Sequence, residues 1–124
     1  MPPERLECLL FDHVAIARIR DRWPDFKDVQ RIHEALRDLL AGESIRHVVL
    51  NFEAVEFFDA DLRGVLLWTA RELAKRDGRL ALCSLPMCMR DHPTIVTFGH
   101  NFMTIVEGED DAVRLLSSET GDAD

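Results

Sequence analysis

No stretch of this 124-residue chain stays apolar for the roughly 18 residues a helix needs to cross a bilayer, so no direct membrane insertion is expected. Cysteine is scarce: Cys8, Cys83 and Cys88 are an odd number for a disulfide framework, and none forms a CxxC pair. The opening Met1-Pro2-Pro3-Glu4-Arg5 lacks the basic-then-apolar order of a secretory signal. Together these point to a reduced, cytoplasmic setting. Glycines Gly42, Gly64, Gly78, Gly99, Gly108 and Gly121 are all isolated, so no GxGxxG or Walker loop exists and nucleotide hydrolysis has no visible machinery. Repeats, low-complexity tracts and Gly/Pro/Ser linkers are absent as well, which leaves a single domain.

Positive charge is also in short supply. Fifteen Lys+Arg face 23 Asp+Glu, a net charge of −8. From Glu107 to Asp124 the only base is Arg114, so the acidity is concentrated at the C-terminal end and the body is close to neutral. A body without basic excess would meet a phosphate backbone against its own field, so no nucleic-acid partner is expected. Residues 6–117 read as the domain and 118–124 as an acidic tail, either a solubilising end or a lure for a basic partner.

What is present is alternation between strand-like and helix-like segments. Leu6 to Leu10 reads as a strand, and His13 to Ile19 as another with Val14, Ile16 and Arg18 on one side; the break at Phe11-Asp12-His13 suits an antiparallel turn. Phe26, Val29, Ile32, Leu36, Leu39 and Leu40 recur at helical spacing, with Asp25 as N-cap and Gly42 as the C′ residue. Ile45 to Phe52 carries Val48-Val49-Leu50, a run suited to a central strand buried on both faces. A second helix is expected from about Asp59 to Gly78, with acids at its start and bases at its end matching the helix dipole. Leu80 to Leu85 reads as a strand, Asp91 to Phe98 as a short helix, Phe102 to Val106 as a last strand and Glu109 to Leu116 as a terminal helix. The order implies an α/β domain: a mixed, mostly parallel sheet of about five strands opened by an N-terminal hairpin, with about four helices.

The stretch Val48-Val49-Leu50-Asn51-Phe52, then Val55, then Phe57-Phe58-Asp59-Ala60-Asp61-Leu62-Arg63-Gly64-Val65-Leu66-Leu67, resembles the STAS domain, the fold of bacterial anti-sigma factor antagonists. Gly78-Arg79-Leu80-Ala81-Leu82 and Phe102 to Leu116 follow in the family's order. In that family the Ser or Thr after the Asp accepts a phosphoryl group from a partner kinase. That position here is Ala60, which has no hydroxyl; Asp61, Leu62 and Arg63 also depart from the pattern, Gly64 returns to it, and Asn51 stands where an Asp is frequent. The resemblance implies a non-catalytic signalling module of transcription regulation. It would dock on a kinase-fold anti-sigma factor or on other STAS-domain proteins, through the loop and helix start, without phosphorylation at the usual site.

Asp59 and Asp61 fit two accounts besides a general-base role. They satisfy and complement the first turn of a helix, or Asp61 supplies a fixed charge of about −1 near where a phosphoserine would carry about −1.5 to −2. On a wheel of about 100° per residue, Leu62, Leu66, Thr69, Ala70 and Leu73 form the core stripe. Gly64, Trp68, Arg71 and Lys75 fall on the other side. Trp68 is thus either an interface centre or a side chain packed along a neighbouring element. The expected docking residues are Asp59, Ala60, Asp61, Arg63, Gly64, Leu67 and Trp68, and a homodimer is a further option.

Met87, Cys88, Met89, His92 and His100 gather soft groups near Pro93. Cys88 and His92 stand at i, i+4, which suits Cu(I) better than a hard cation, but one pair falls short of a structural zinc set. No cofactor or metal is therefore expected, and a thiol or metal sensor at Cys88 and His92 is the minor alternative. The other is a soluble accessory subunit of a membrane transport system, a role some STAS-like domains fill. Cys8 and Cys83 read as small core residues, and His13, His33 and His47 show no shared spacing.

Overall fold

The alternation of Val14, Ile16 and Arg18 with Ala15, Ala17 and Ile19 demands a strand with two covered faces, and the sheet is built around it. The computed structural model describes residues 6–11, 13–42, 44–56, 59–86 and 103–121. Five strands, β1 (Leu6–Phe11), β2 (Val14–Ile19), β3 (His47–Asn51), β4 (Leu80–Cys83) and β5 (Met103–Val106), lie in sequential order. β1 and β2 form the expected antiparallel hairpin, Leu6 opposite Ile19 and Phe11 opposite Val14; every later neighbour is parallel. Three helices are described: α1 (Phe26–Ala41), α2 (Ala60–Ala74) and α3 (Glu109–Gly121). The fourth helix expected at 91–98, and with it Met87, Cys88, Met89, His92, Pro93 and His100, lies outside the described residues.

The sheet separates two apolar layers. Ala15, Ala17, Ile19, Val48, Leu50, Leu80 and Leu82 meet α1 and α2; Val14, Ile16, Val49, Ala81 and Cys83 meet Ala112 and Leu116 of α3. β3 is buried along its whole length, as its continuous apolar run requires. α3 continues to Gly121, four residues into the stretch read as tail.

Three packing expectations need correction. Phe26 is 61% exposed rather than part of the α1 core stripe. At about 100° per residue it sits some 80° from the centre of the arc formed by Val29, Ile32, Leu36 and Leu40. Cys8 is exposed, on β1, the strand that ends the sheet order. Gly42 does cap α1, but with extended backbone (φ −78°). The left-handed turn instead closes α2, where Asp77 (φ 58°) lets the Gly78 amide reach back to the Leu73 carbonyl at 2.7 Å. Asp25 performs as expected: its carboxylate accepts from the Asp28 amide at 2.9 Å while Asp28 accepts from the Asp25 amide at 3.0 Å, a reciprocal cap. Among the described residues no helix is long and apolar enough to cross a membrane.

Candidate functional site

Parallel strands joined by helices on one face send each helix off from the C-terminal end of the strand before it. α1 and α2 therefore start on the same rim of the sheet, beyond Ile19 and Asn51. Hydrogen bonds stitch the two entry loops together. The Glu56 amide donates to the Arg22 carbonyl at 2.8 Å, and the Arg22 guanidinium Nε donates to the Glu56 carboxylate.

At the α2 start, Asp59 is the N-cap: Oδ1 accepts from the Asp61 amide at 3.0 Å and its carbonyl accepts from Arg63 at 3.3 Å. Asp59 is thus committed to the helix. Ala60 and Asp61 are exposed, Arg63 and Leu67 are half-buried, and Gly64 is exposed with nothing within 4 Å of where a Cβ would stand. The predicted core stripe, Leu62, Leu66, Thr69, Ala70 and Leu73, is buried.

Trp68 is packed along a neighbouring element, the second of its two readings. It is half-buried against the core, and its ring meets His33 of α1 edge-on at 4.7 Å with an interplanar angle of 73°. The wheel measured one face against the sheet and took no account of α1 lying alongside, which widens the buried arc of α2 through Val65 to Trp68. Trp68 holds the two helices in register, and the open aromatic surface belongs to other residues. Trp23 is 71% exposed and, with Phe26, flanks the Asp25 cap at the α1 start. Sequence reasoning passed over Trp23 and misplaced Phe26. The available signal was an aromatic on each side of Pro24-Asp25, one before the helix and one off its apolar arc. Asp25 and Asp28 neighbour this pair along the chain, and Glu56 is bound to Arg22 beside Trp23, with Arg22 and Lys27 as the adjacent bases.

A second polar construction sits on the α3 side of the same rim. Glu109 takes Arg18 in a two-pronged grip, Nε to Oε2 at 2.7 Å and Nη2 to Oε1 at 2.8 Å, while Glu7 holds Nη1 at 3.1 Å. Asn51 Nδ2 also donates to Glu109, and its Oδ1 accepts from the Glu53 amide at 2.7 Å. The Arg18 hydrogen bonds hold the Glu109 carboxyl below its ordinary range against an opposing desolvation. A cleft of about 440 Å³ opens here, bordered by Glu7, Arg18, Arg20, Asn51 and Glu53. Because two carboxylates already neutralise Arg18, its guanidinium is spent on joining β2, β3 and α3. The parallel register that sets Arg18 beside Asn51 was invisible in a single sequence.

Three further described groups, His47, His13 and Cys83, are engaged structurally. His47 is buried and its Nδ1 accepts from the Arg79 amide at 3.0 Å; His13 Nδ1 lies 2.9 Å from the Ser44 carbonyl. Burial, then the Glu109 charge, pushes the Cys83 thiol up to about 12, so it stays protonated and unreactive at neutral pH. Among the described residues no three His, Cys, Asp or Glu side chains converge to hold a metal.

The family model of the STAS domain matches residues 14–112. Among curated proteins, none matches the sequence. In solved structures the fold recurs in the phosphorylated form of the Bacillus cell fate determinant SpoIIAA (20% identity, 89% of this chain and 98% of that one, TM-score 0.71). It recurs also in an anti-sigma factor antagonist from Mycobacterium paratuberculosis (19% identity, 90% and 92%, TM-score 0.76). The murine solute carrier 26 family member A9 anion transporter contains the same fold (12% identity, 87% of this chain and 18% of that one, TM-score 0.70).

Proposed function

The chain belongs to the STAS domain family, and from that premise we propose that it is a non-catalytic interaction domain of the anti-sigma factor antagonist kind. It docks on a regulatory partner through the rim where α1 and α2 begin. The observation that carries this reading is the exposed pair Trp23 and Phe26, tied by the Arg22–Glu56 bonds to the loop that leads into Asp59, Ala60 and Asp61. Exposed aromatics beside a helix start with open backbone at Gly64 have the composition of an interface centre. The acids around them favour a partner surface with an apolar pocket and a basic rim.

The partner by this reading is a kinase-fold anti-sigma factor or another STAS-domain protein. Ala60 removes the hydroxyl at the usual phosphoacceptor position, and Asp61 supplies a permanent single charge one residue on. Docking is therefore not gated by phosphorylation at this site. Affinity capture should retain a kinase-fold ATPase or STAS protein with wild type and lose it with Trp23→Ala, whose fold is intact because Trp23 packs on little. Incubation with that kinase and ATP should leave the mass of residues 59–64 unchanged. Equal retention by Trp23→Ala would move the docking face elsewhere, and a phosphoryl gain at 59–64 would remove the ungated reading.

The likeness to part of an anion transporter supports a second reading, a soluble accessory subunit of a transport system. Co-purification with a membrane-bound ATPase subunit in detergent would favour it over the first.

A further inference from the structure

We infer that the cavity at the N-terminal ends of β2 and β3 is a phosphate-binding site, built on Arg46, Arg76 and Ser44 at the end of the sheet opposite the docking rim. It encloses about 330 Å³ and is lined by His13, Ser44, Ile45, Arg46, Arg76 and Asp77. Those residues come from the β1–β2 turn, the α1–β3 connection and the α2–β4 connection. Hydrogen bonds stitch the first two together. The Arg46 and His47 amides donate to the His13 carbonyl at 2.8 and 3.0 Å, and His13 Nδ1 donates to the Ser44 carbonyl at 2.9 Å. Both guanidiniums are held by backbone carbonyls. Arg46 Nε donates to Asp77 at 3.2 Å. Arg76 Nη1 reaches Gly42 and Ile45 at 3.1 Å each, and Nη2 reaches Leu40 at 3.0 Å.

How the arginines are held identifies the ligand. In the cleft at the other end of the sheet, Arg18 is taken by Glu109 and Glu7. Here the acceptors are uncharged, and among the described residues no carboxylate pairs with Arg46 or Arg76, although Asp77 lines the same cavity. The two guanidiniums therefore keep their charge while their positions are fixed, so a bound anion has little side-chain ordering to offset. Arg76 is partly committed to the carbonyl end of α1. Arg46 has both Nη groups, and Ser44 its hydroxyl, without a hydrogen bond among the described residues. Donors arriving from separate connections suit a tetrahedral anion with several acceptor oxygens, and the paired Nη groups of an arginine match two of them. Asp77, with Asp12 and Glu43 adjoining His13 and Ser44 in sequence, opposes any anion, so the expected dissociation constant is on the order of 1 mM. The docking rim lies at the C-terminal strand ends, so this inference stands whether or not the docking reading holds.

Titration of the full chain with inorganic phosphate at neutral pH and fixed ionic strength, followed by amide NMR shifts, tests it. Wild type should show saturable shifts concentrated at residues 13, 44–46 and 76–78, and acetate at equal ionic strength should not reproduce them. Arg46→Gln removes the free Nη charge and leaves the α1 carbonyls to Arg76. With an unchanged far-UV circular dichroism spectrum, it should bind at least about fivefold more weakly. Asp77→Asn removes the facing carboxylate and keeps a side chain that tolerates the left-handed backbone there (φ 58°), so it should bind more tightly than wild type. Glycerol phosphate separates the sources of the phosphate group: tighter binding than inorganic phosphate assigns the site to a monoester, and weaker binding assigns it to the free ion. Shifts that grow linearly without saturating, or that acetate reproduces, would overturn the inference by reducing it to general ion screening. A folded Arg46→Gln with wild-type affinity, or an Asp77→Asn that binds no more tightly, would overturn it as well.

Discussion

Gly64→Ala separates what the fold wants from what the docking rim wants. Gly64 is the fifth residue of α2, where glycine is weaker than alanine by about 0.5–1 kcal/mol. An added Cβ would meet nothing within 4 Å, so the gain is not offset by a clash. The variant should be more stable by that amount, raising Tm by about 2–5 °C for a domain of this size. Gly78→Ala is the control with opposite sign. Its Cβ would stand 1.7 Å from the Arg46 carbonyl oxygen and 3.2 Å from that of Leu73, so the backbone entering β3 must move. The expected cost is about 2–4 kcal/mol. Urea and thermal unfolding of both variants give the stabilities, and titration with the captured partner gives the affinity. If Gly64 is bare so that a partner can approach the helix, Gly64→Ala binds about tenfold more weakly while folding better. A Gly64→Ala protein less stable than wild type would refute the helix argument, and unchanged affinity would refute close approach at Gly64.

The Arg18–Glu109 clamp makes stability depend on pH. Because the folded Glu109 carboxyl titrates below its ordinary 4.5, the unfolded chain takes up the proton first as pH falls. The stabilisation is full at neutral pH and is lost as acid passes through the folded value. Glu109→Gln should therefore cost about 1–2 kcal/mol at neutral pH, and the gap to wild type should narrow as pH falls below the ordinary carboxylate range, read as Tm against pH for both proteins. Trp68→Ala should cost about 2 kcal/mol in urea, roughly half that of a fully buried tryptophan, since it removes the α1–α2 ring contact; a loss near zero would mean Trp68 does not secure the helix pair.

Patterns along the chain that depend on near neighbours were legible in the sequence. The two-residue alternation of β2 assigned its faces, the Asp25–Asp28 spacing gave a reciprocal cap, and Val48-Val49-Leu50 marked the central strand. The STAS signature, read at Asn51 to Leu67, carried the family. Strand alternation, capping and the α2 core stripe follow from geometry internal to one element, so a single chain reports them. Residues whose surroundings come from another element did not follow. Trp68 meets α1, which the α2 wheel leaves out; Phe26 precedes the arc that touches the sheet; Cys8 lies exposed on the strand that ends the sheet order. Arg18, Asn51 and Glu109 stand up to 91 positions apart and meet only because parallel pairing and α3 bring three strand and helix ends to one rim. Burial and electrostatics are properties of what packs alongside, so the tertiary structure alone decided which aromatics are open and which charges are paired.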